Sequence, residues 1–138
     1  MKRILFIQPW IYDFAAYDFW IKPLGLMYIA GWMRANGINI DFIDCLDPFH
    51  PDMAKAHPAR APKRSPSGKG KFFKEPVARP EALRDIPRRY NRYGIAPAVL
   101  EAQLKRTEKP DLVFVTSMMT YWYPGVFETI GIVRKIIP

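Results

Sequence analysis

The chain has 138 residues, 49% of them hydrophobic, one domain's worth of sequence with enough apolar content for a real core. Its net charge of +8 is local: Arg60 to Arg92 holds eleven Lys/Arg against Glu75, Glu81 and Asp85, so the basic character belongs to one segment rather than to the whole surface. Cys45 is the only cysteine, which excludes a disulfide framework and makes a reduced, cytoplasmic setting the simpler expectation. No run approaches the roughly 18 apolar residues that span a bilayer, and no membrane partner is expected.

Arg3-Ile4-Leu5-Phe6-Ile7-Gln8 is a continuous apolar run, the pattern of a central parallel strand covered on both faces. The basic Met1-Lys2-Arg3 before it does not open a signal peptide, because the apolar run from Ile4 to Ile7 is too short and stops at Pro9. Pro9 to Lys22 is a long connection carrying Trp10, Tyr12, Phe14, Tyr17, Phe19 and Trp20. Pro23 suits the first turn of a helix and Asn36-Gly37 its left-handed stop, predicting a helix from Pro23 to Asn36. Leu24, Leu26, Met27, Ile29, Ala30, Trp32 and Met33 cover more than one stripe of that helix. Burial on two sides is therefore expected, one against the sheet and the other against a domain outside this chain. Asn39 to Asp44 alternates as a second strand and exits through Asp44-Cys45-Leu46-Asp47-Pro48.

Nine of the fourteen prolines fall between Pro48 and Pro97, which argues against long regular elements there. Residues 48 to about 79 have the composition of a mobile insert centred on Ser65-Pro66-Ser67-Gly68-Lys69-Gly70. Pro80 to Tyr90 suits a helical turn or two, and Pro97 to Arg106 a short helix with Val99, Leu100, Gln103 and Leu104 on adjoining positions. Leu112-Val113-Phe114-Val115-Thr116-Ser117 is a third strand, followed by Met118-Met119-Thr120-Tyr121-Trp122-Tyr123. Pro124 opens a last helix on which Val126, Phe127, Ile130, Val133 and Ile137 recur at helical spacing.

This order of elements predicts an α/β doubly wound parallel sheet with strand order 2-1-3, truncated before a fourth strand expected after Pro138. A ligand crevice is expected where the order reverses, walled by the loops Pro9–Pro23 and Ser117–Pro124, both aromatic, Met-containing and poor in glycine. Phosphate binding needs Gly- or Ser/Thr-rich turns after the first strand, which Gln8-Pro9-Trp10-Ile11-Tyr12 does not offer. A phosphoacceptor carboxylate is missing at Thr116-Ser117, and so is a G-x-S-x-G elbow. What the loops suit is a broad, flat, largely apolar ligand met by aromatic and thioether groups with a few hydroxyls and amides.

Arg3 to Pro9, Pro23-Leu24-Gly25-Leu26, Ile40 to Asp44 and Asp111 to Gly125, together with Gly68-Lys69-Gly70-Lys71-Phe72-Phe73-Lys74-Glu75 and Pro87 to Gly94, resemble one family. It is the N-terminal cobalamin-binding domain of B12-dependent radical SAM proteins, and the resemblance covers almost the whole chain. It implies a flavodoxin-like (Rossmann-type) sheet spanning residues 1–138, with 48–95 as a basic Pro-rich insert, and the corrin of cobalamin over the carboxyl edge of the strands. On that resemblance Ser117, Met118, Met119, Thr120 and Tyr121 contact the cofactor and face Pro9, Trp10 and the Leu24-Gly25 turn. S-adenosylmethionine and a [4Fe-4S] cluster are implied only for a C-terminal radical SAM domain, the implied partner. One cysteine cannot ligate such a cluster, so no catalytic residue is assigned to this chain. The D-x-H-x-x-G histidine that many cobalamin domains supply to cobalt is also absent, since the first loop offers only Asp13 and Asp18.

Competing readings stand beside these. Ser117 to Tyr121 also suits ordinary packing before a helix, and Trp10, Tyr12 and Tyr17 suit plugs of the sheet edge or contacts to another domain. Asp44 suits either a ligand hydrogen bond or a turn. Cys45, His50 and His57 form C-x4-H-x6-H, looser than structural zinc requires, and a loop with two solvated histidines is preferred to a metal site. The alternative function is a cofactor-free α/β interaction module that docks through the second face of the first helix. Nucleic-acid binding through the basic insert, with Phe72, Phe73, Tyr90 and Tyr93 stacking on bases, is less favoured than docking of a solvated insert.

Overall fold

The computed structural model describes residues 2–56 and 61–138. It is a mixed α/β chain whose main sheet has three parallel strands: β1 (Arg3–Gln8) at the centre, β3 (Asn39–Asp44) on one side and β6 (Leu112–Val115) on the other. Helix α1 (Leu24–Ala35) joins β1 to β3, and α4 (Tyr123–Ile136) follows β6, an arrangement compatible with a Rossmann-like fold.

Successive strand residues face opposite sides, and the parallel register puts side chains of equal level on one face. On the α1 face lie Ile40, Ile4 and Leu112, and above them Phe42, Phe6 and Phe114. Ile4 and Phe6 pack on Leu26, Ala30 and Met33 of α1, and the Phe6 and Phe114 rings stack with centroids 5.2 Å apart. On the opposite face Leu5, Ile7 and Ile43 meet Val99, Leu100 and Leu104 of α3 (Pro97–Arg106) and Val133 of α4. Truncating any fully buried member of this layer to alanine costs about 2–5 kcal/mol.

The predicted helix and strand positions hold closely for β1, β3 and α3. Helix α1 begins one residue later than expected, with Pro23 as its cap, and Gly37 (φ 79°) supplies the left-handed stop. Only one side of α1 is covered in this chain. Leu26 is buried against the sheet, whereas Leu24 (65% exposed), Tyr28 (72%) and Trp32 (67%), four residues apart, form an outward apolar stripe.

The middle segment differs from expectation. A second, antiparallel sheet runs β2–β5–β4, from Ile11–Asp13 through Asn91–Tyr93 to Lys74–Pro76. It knits the first loop to the basic segment. Phe72, Phe73, Tyr90 and Tyr93 are all buried, with the Tyr90 and Tyr93 hydroxyls donating to the Tyr12 and Phe14 carbonyls at 3.3 Å each. Composition alone marked this stretch as a mobile, solvated insert because its charges mask four inward aromatics, and the Tyr90 and Tyr93 hydroxyls find their acceptors in the distant first loop, at Tyr12 and Phe14. The same burial removes these rings from any base-stacking role.

His50 also corrects the expectation of a solvated loop. It is buried, its carbonyl accepts from the Met53 and Ala54 amides at the start of α2 (Pro51–Ala56), and its ring meets Gln103 Oε1 at 3.2 Å. His57, the third member of the C-x4-H-x6-H spacing, lies outside the described residues, as does Arg60.

Candidate functional site at the carboxyl edge of the sheet

The first residues after β1 and β6 converge on one small cleft. Gln8, Pro9, Trp10 and Ile11 line one wall, Thr116, Ser117, Met118 and Trp122 the other, and Leu46 contributes from the turn after β3. Its water-accessible space is about 10 Å³, room for about one water molecule and far below the about 300–1,000 Å³ of a small-molecule pocket.

Each wall is fixed from behind. Trp10 is buried, and its Nε1 donates to the Ile95 carbonyl at 2.6 Å. The Arg92 guanidinium lies 5.6 Å above the Trp10 ring centroid, a cation–π contact. On the other wall, Ser117 Oγ donates to the Met119 carbonyl at 2.9 Å, one 3-10 turn runs from Thr120 to Trp122, and Trp122 Nε1 donates to Asp13 Oδ2 at 3.0 Å. That indole bond ties the loop after β6 to β2. Helix α4 then starts with Gly125 pressed onto the Trp10 carbonyl: a Cβ built there falls 2.2 Å from that oxygen, so only glycine fits.

Of the residues singled out in the sequence, Pro9, Trp10, Ser117 and Met118 meet at this cleft. Met119, Thr120 and Tyr121 sit on the exposed loop beyond its rim. Leu24 and Gly25 do not line it. Leu24 belongs instead to a shallow groove along α1 with Met27, Tyr28, Gly31 and Trp32, and a Cβ on Gly25 would meet nothing within 4 Å. Tyr12 is buried like Trp10, whereas Tyr17 is exposed. Asp44 is committed to a turn and an ion pair, accepting from the Leu46 amide at 2.9 Å and from Lys22 Nζ at 2.6 Å.

Gln8 is the residue that inspection of the loops alone misses. It is 2% exposed, it lines the cleft, and neither Nε2 nor Oε1 has a partner among the described residues. The signal was present in the strand: strict alternation puts Gln8 on the face of Ile4 and Phe6, where an apolar residue is the default.

None of the cleft's lining side chains is ionisable. The groups whose pKa values move sit behind or beside it. Burial pushes the Cys45 thiol well up, with Asp44 adding to the effect; burial raises Tyr90, Tyr93 and Glu128 and lowers Arg92 against the opposing pull of Glu75.

Cobalamin is a flat corrin fringed with carboxamides, so its fit rests on the periphery. Exposed thioethers and phenol at Met118, Met119 and Tyr121 suit such a ring, whereas the Gln8 amide is buried behind a cleft with room for about one water molecule and does not reach it. An axial cobalt ligand from the first loop does not suit, because Asp13 is held by Trp122 and Asp18 by Arg64 at 2.5 Å. No group of three or more His, Cys, Asp or Glu side chains stands ready for a metal ion among the described residues, and no helix there is long and apolar enough to cross a membrane. No known protein family, curated protein or solved structure matches the chain.

Proposed function

We propose that this chain is the cobalamin-holding, flavodoxin-like N-terminal part of a B12-dependent radical SAM enzyme, with strand order 2-1-3. The observation that carries the reading is the juxtaposition of an uncharged cleft at the carboxyl ends of β1 and β6 with an exposed Met118–Tyr121 rim. The cleft has room for about one water molecule and admits no part of a corrin, so the ring lies across the mouth, on thioether and aromatic groups that offer broad, polarisable contact. When bound, cobalamin supplies the cobalt-centred chemistry. The chain's own residues hold the ring and exclude water from one face of it. S-adenosylmethionine and the [4Fe-4S] cluster belong to a C-terminal domain of the same protein.

Hydroxocobalamin titrated into the full-length protein tests this by its visible spectrum. A saturable change is expected, weakened about tenfold or more by Met118→Asp or Tyr121→Asp with unchanged circular dichroism. Absence of any change in the unsubstituted protein refutes the reading.

A second reading has its own observation, the stripe Leu24, Tyr28 and Trp32, which exceeds the scattered apolar exposure normal for a monomer. In it the chain is a cofactor-free module that docks on a partner domain through α1. Trp32→Glu separates the two: loss of docking with cobalamin uptake intact assigns the stripe to the partner and the cleft to the cofactor.

A further inference from the structure

We infer that a lysine-rimmed groove along the outer strand of the second sheet, β4, binds a small organic anion with an apolar body. The groove shares no lining residue with the cleft at the end of the parallel sheet and stands independently of the cobalamin reading. Its water-accessible space is about 490 Å³, within the about 300–1,000 Å³ of small-molecule sites. Residues 61–63, 71–76 and 94–96 meet around it.

The floor is apolar: Met53, Phe73 and Ile95 are buried side chains of the main core whose edges reach the groove. The rim is basic. Lys63, Lys71 and Lys74 are all exposed and all line it. The Lys71 amide donates to the Lys63 carbonyl at 2.9 Å, which holds those two lysines side by side, and Lys74 follows three residues on. Arg92 and Glu75, the other charged lining residues, pair with each other. None of the three lysines has a carboxylate partner among the described residues. The backbone adds a donor. The Gly94 amide donates to the Phe73 carbonyl and the Val77 amide to the Tyr90 carbonyl, so alternate residues from Phe73 to Val77 turn their backbone groups toward β5, and Lys74 between them turns its N–H to the open side.

Three like charges gathered at one opening repel one another, and no acidic side chain in the groove is left to offset them. The same field draws an anion in, and apolar walls concentrate it. Lysine acts as a point charge rather than a planar fork, so the rim reads the charge of a carboxylate, sulfonate or phosphate head without demanding one shape. An inorganic ion would leave the floor uncovered and a neutral apolar molecule would leave the lysines unmatched. A charged head on an apolar body satisfies both.

Two fluorescent dyes with the same ring system test this on the full chain: anilinonaphthalene sulfonate, and phenylnaphthylamine, which lacks the sulfonate. The sulfonate dye should saturate at one per chain and bind at least about tenfold more tightly than the neutral one. Lys71→Gln combined with Lys74→Gln should weaken the sulfonate dye about tenfold or more and leave the neutral dye unchanged, with unaltered circular dichroism. Lys105→Gln combined with Lys109→Gln, which removes the same charge from exposed positions outside the groove, should change neither. Equal binding of the two dyes overturns the assignment, as does failure to bind the sulfonate dye. So does sulfonate binding that survives the loss of Lys71 and Lys74, or that falls equally in the Lys105 and Lys109 variant, since net charge alone would then explain it. Binding abolished by Trp32→Glu would place the dye on α1 and overturn it as well.

Discussion

The indole of Trp10 donates to the carbonyl of Ile95 across 85 residues of sequence, at 2.6 Å. That bond fixes the first residue pair after β1 against the start of α3, and the surrounding backbone is fitted to it. Gly94, at φ 125°, has room for no Cβ, which would fall 2.1 Å from the Cys45 carbonyl and 2.8 Å from the Trp10 ring. Gly125 approaches Trp10 from α4. The cleft wall therefore inherits its rigidity from contacts that span most of the chain.

Gly125→Ala should destabilise the protein by about 2–3 kcal/mol, because backbone must shift to relieve the clash with the Trp10 carbonyl. Gly131→Ala, six residues along the same helix with nothing within 4 Å of its Cβ position, should instead stabilise by about 0.5–1 kcal/mol. Thermal or urea denaturation of the two variants checks the contrast. A similar gain in both would show that helix propensity, not the approach to Trp10, governs Gly125.

Cys45 is fully buried, its amide donates to the Gln8 carbonyl at 2.9 Å, and burial raises its thiol pKa well above the ordinary value. Thiolate is the reactive form. A colorimetric disulfide reagent at pH 8 should find no reactive thiol in the native protein and one per chain in denaturant. Prompt reaction in the native state would mean that the turn between β3 and α2 opens without global unfolding.

The parallel sheet was legible because its strands advertise themselves locally: Arg3–Gln8 as an apolar run, Asn39–Asp44 by alternation, and Leu112–Val115 between Pro110 and the loop it feeds. Pro97–Arg106 was legible from Pro at its start and apolar spacing. The second sheet was not, since β2, β4 and β5 have three residues each and exist only through pairing with one another. Site residues divided in the same way. Ser117 and Met118 follow a strand and were readable from position, whereas Leu46 and Trp122 reach the cleft through tertiary packing. Leu24 and Gly25 were placed there by motif; Leu24 lines the groove along α1 instead, and Gly25 lines neither surface.

The loop before α1 is clasped to the basic segment by one buried ion pair. Arg64 and Asp18 meet at 2.5 Å with side chains 12% and 6% exposed, and Asp18 exchanges backbone hydrogen bonds with Gly70 at 2.8 and 3.0 Å. Asp18 Oδ1 also accepts from the Ile21 amide, and Arg64 reaches the Gly68 carbonyl. Asp18→Ala leaves a buried guanidinium unpaired, at a cost of about 3 kcal/mol. Cleavage by trypsin at Lys63, Lys69 and Lys71 should accelerate at least about tenfold if the cost falls on local opening. Acceleration spread evenly over distant sites such as Lys135 would point to global destabilisation instead.

Glu128 on α4 gives the chain a pH dependence with a definite sign. One carboxylate oxygen lies 3.4 Å from the Arg92 guanidinium, and the other is buried without a partner among the described residues. Arg92 is held from the exposed side by Glu75 as well. Burial raises the Glu128 pKa above the usual 4.5. The folded state thus keeps a proton that the unfolded chain has already released, so this group's contribution to stability falls as pH rises from the unfolded value through the folded one. Glu128→Gln preserves an oxygen for Arg92 and removes the titration. Its melting temperature relative to the unsubstituted protein should rise between pH 4.5 and neutrality, with no added advantage below that range. A relative melting temperature that falls over the same interval would show that the ionised Glu128 gains more from Arg92 than it loses on leaving water.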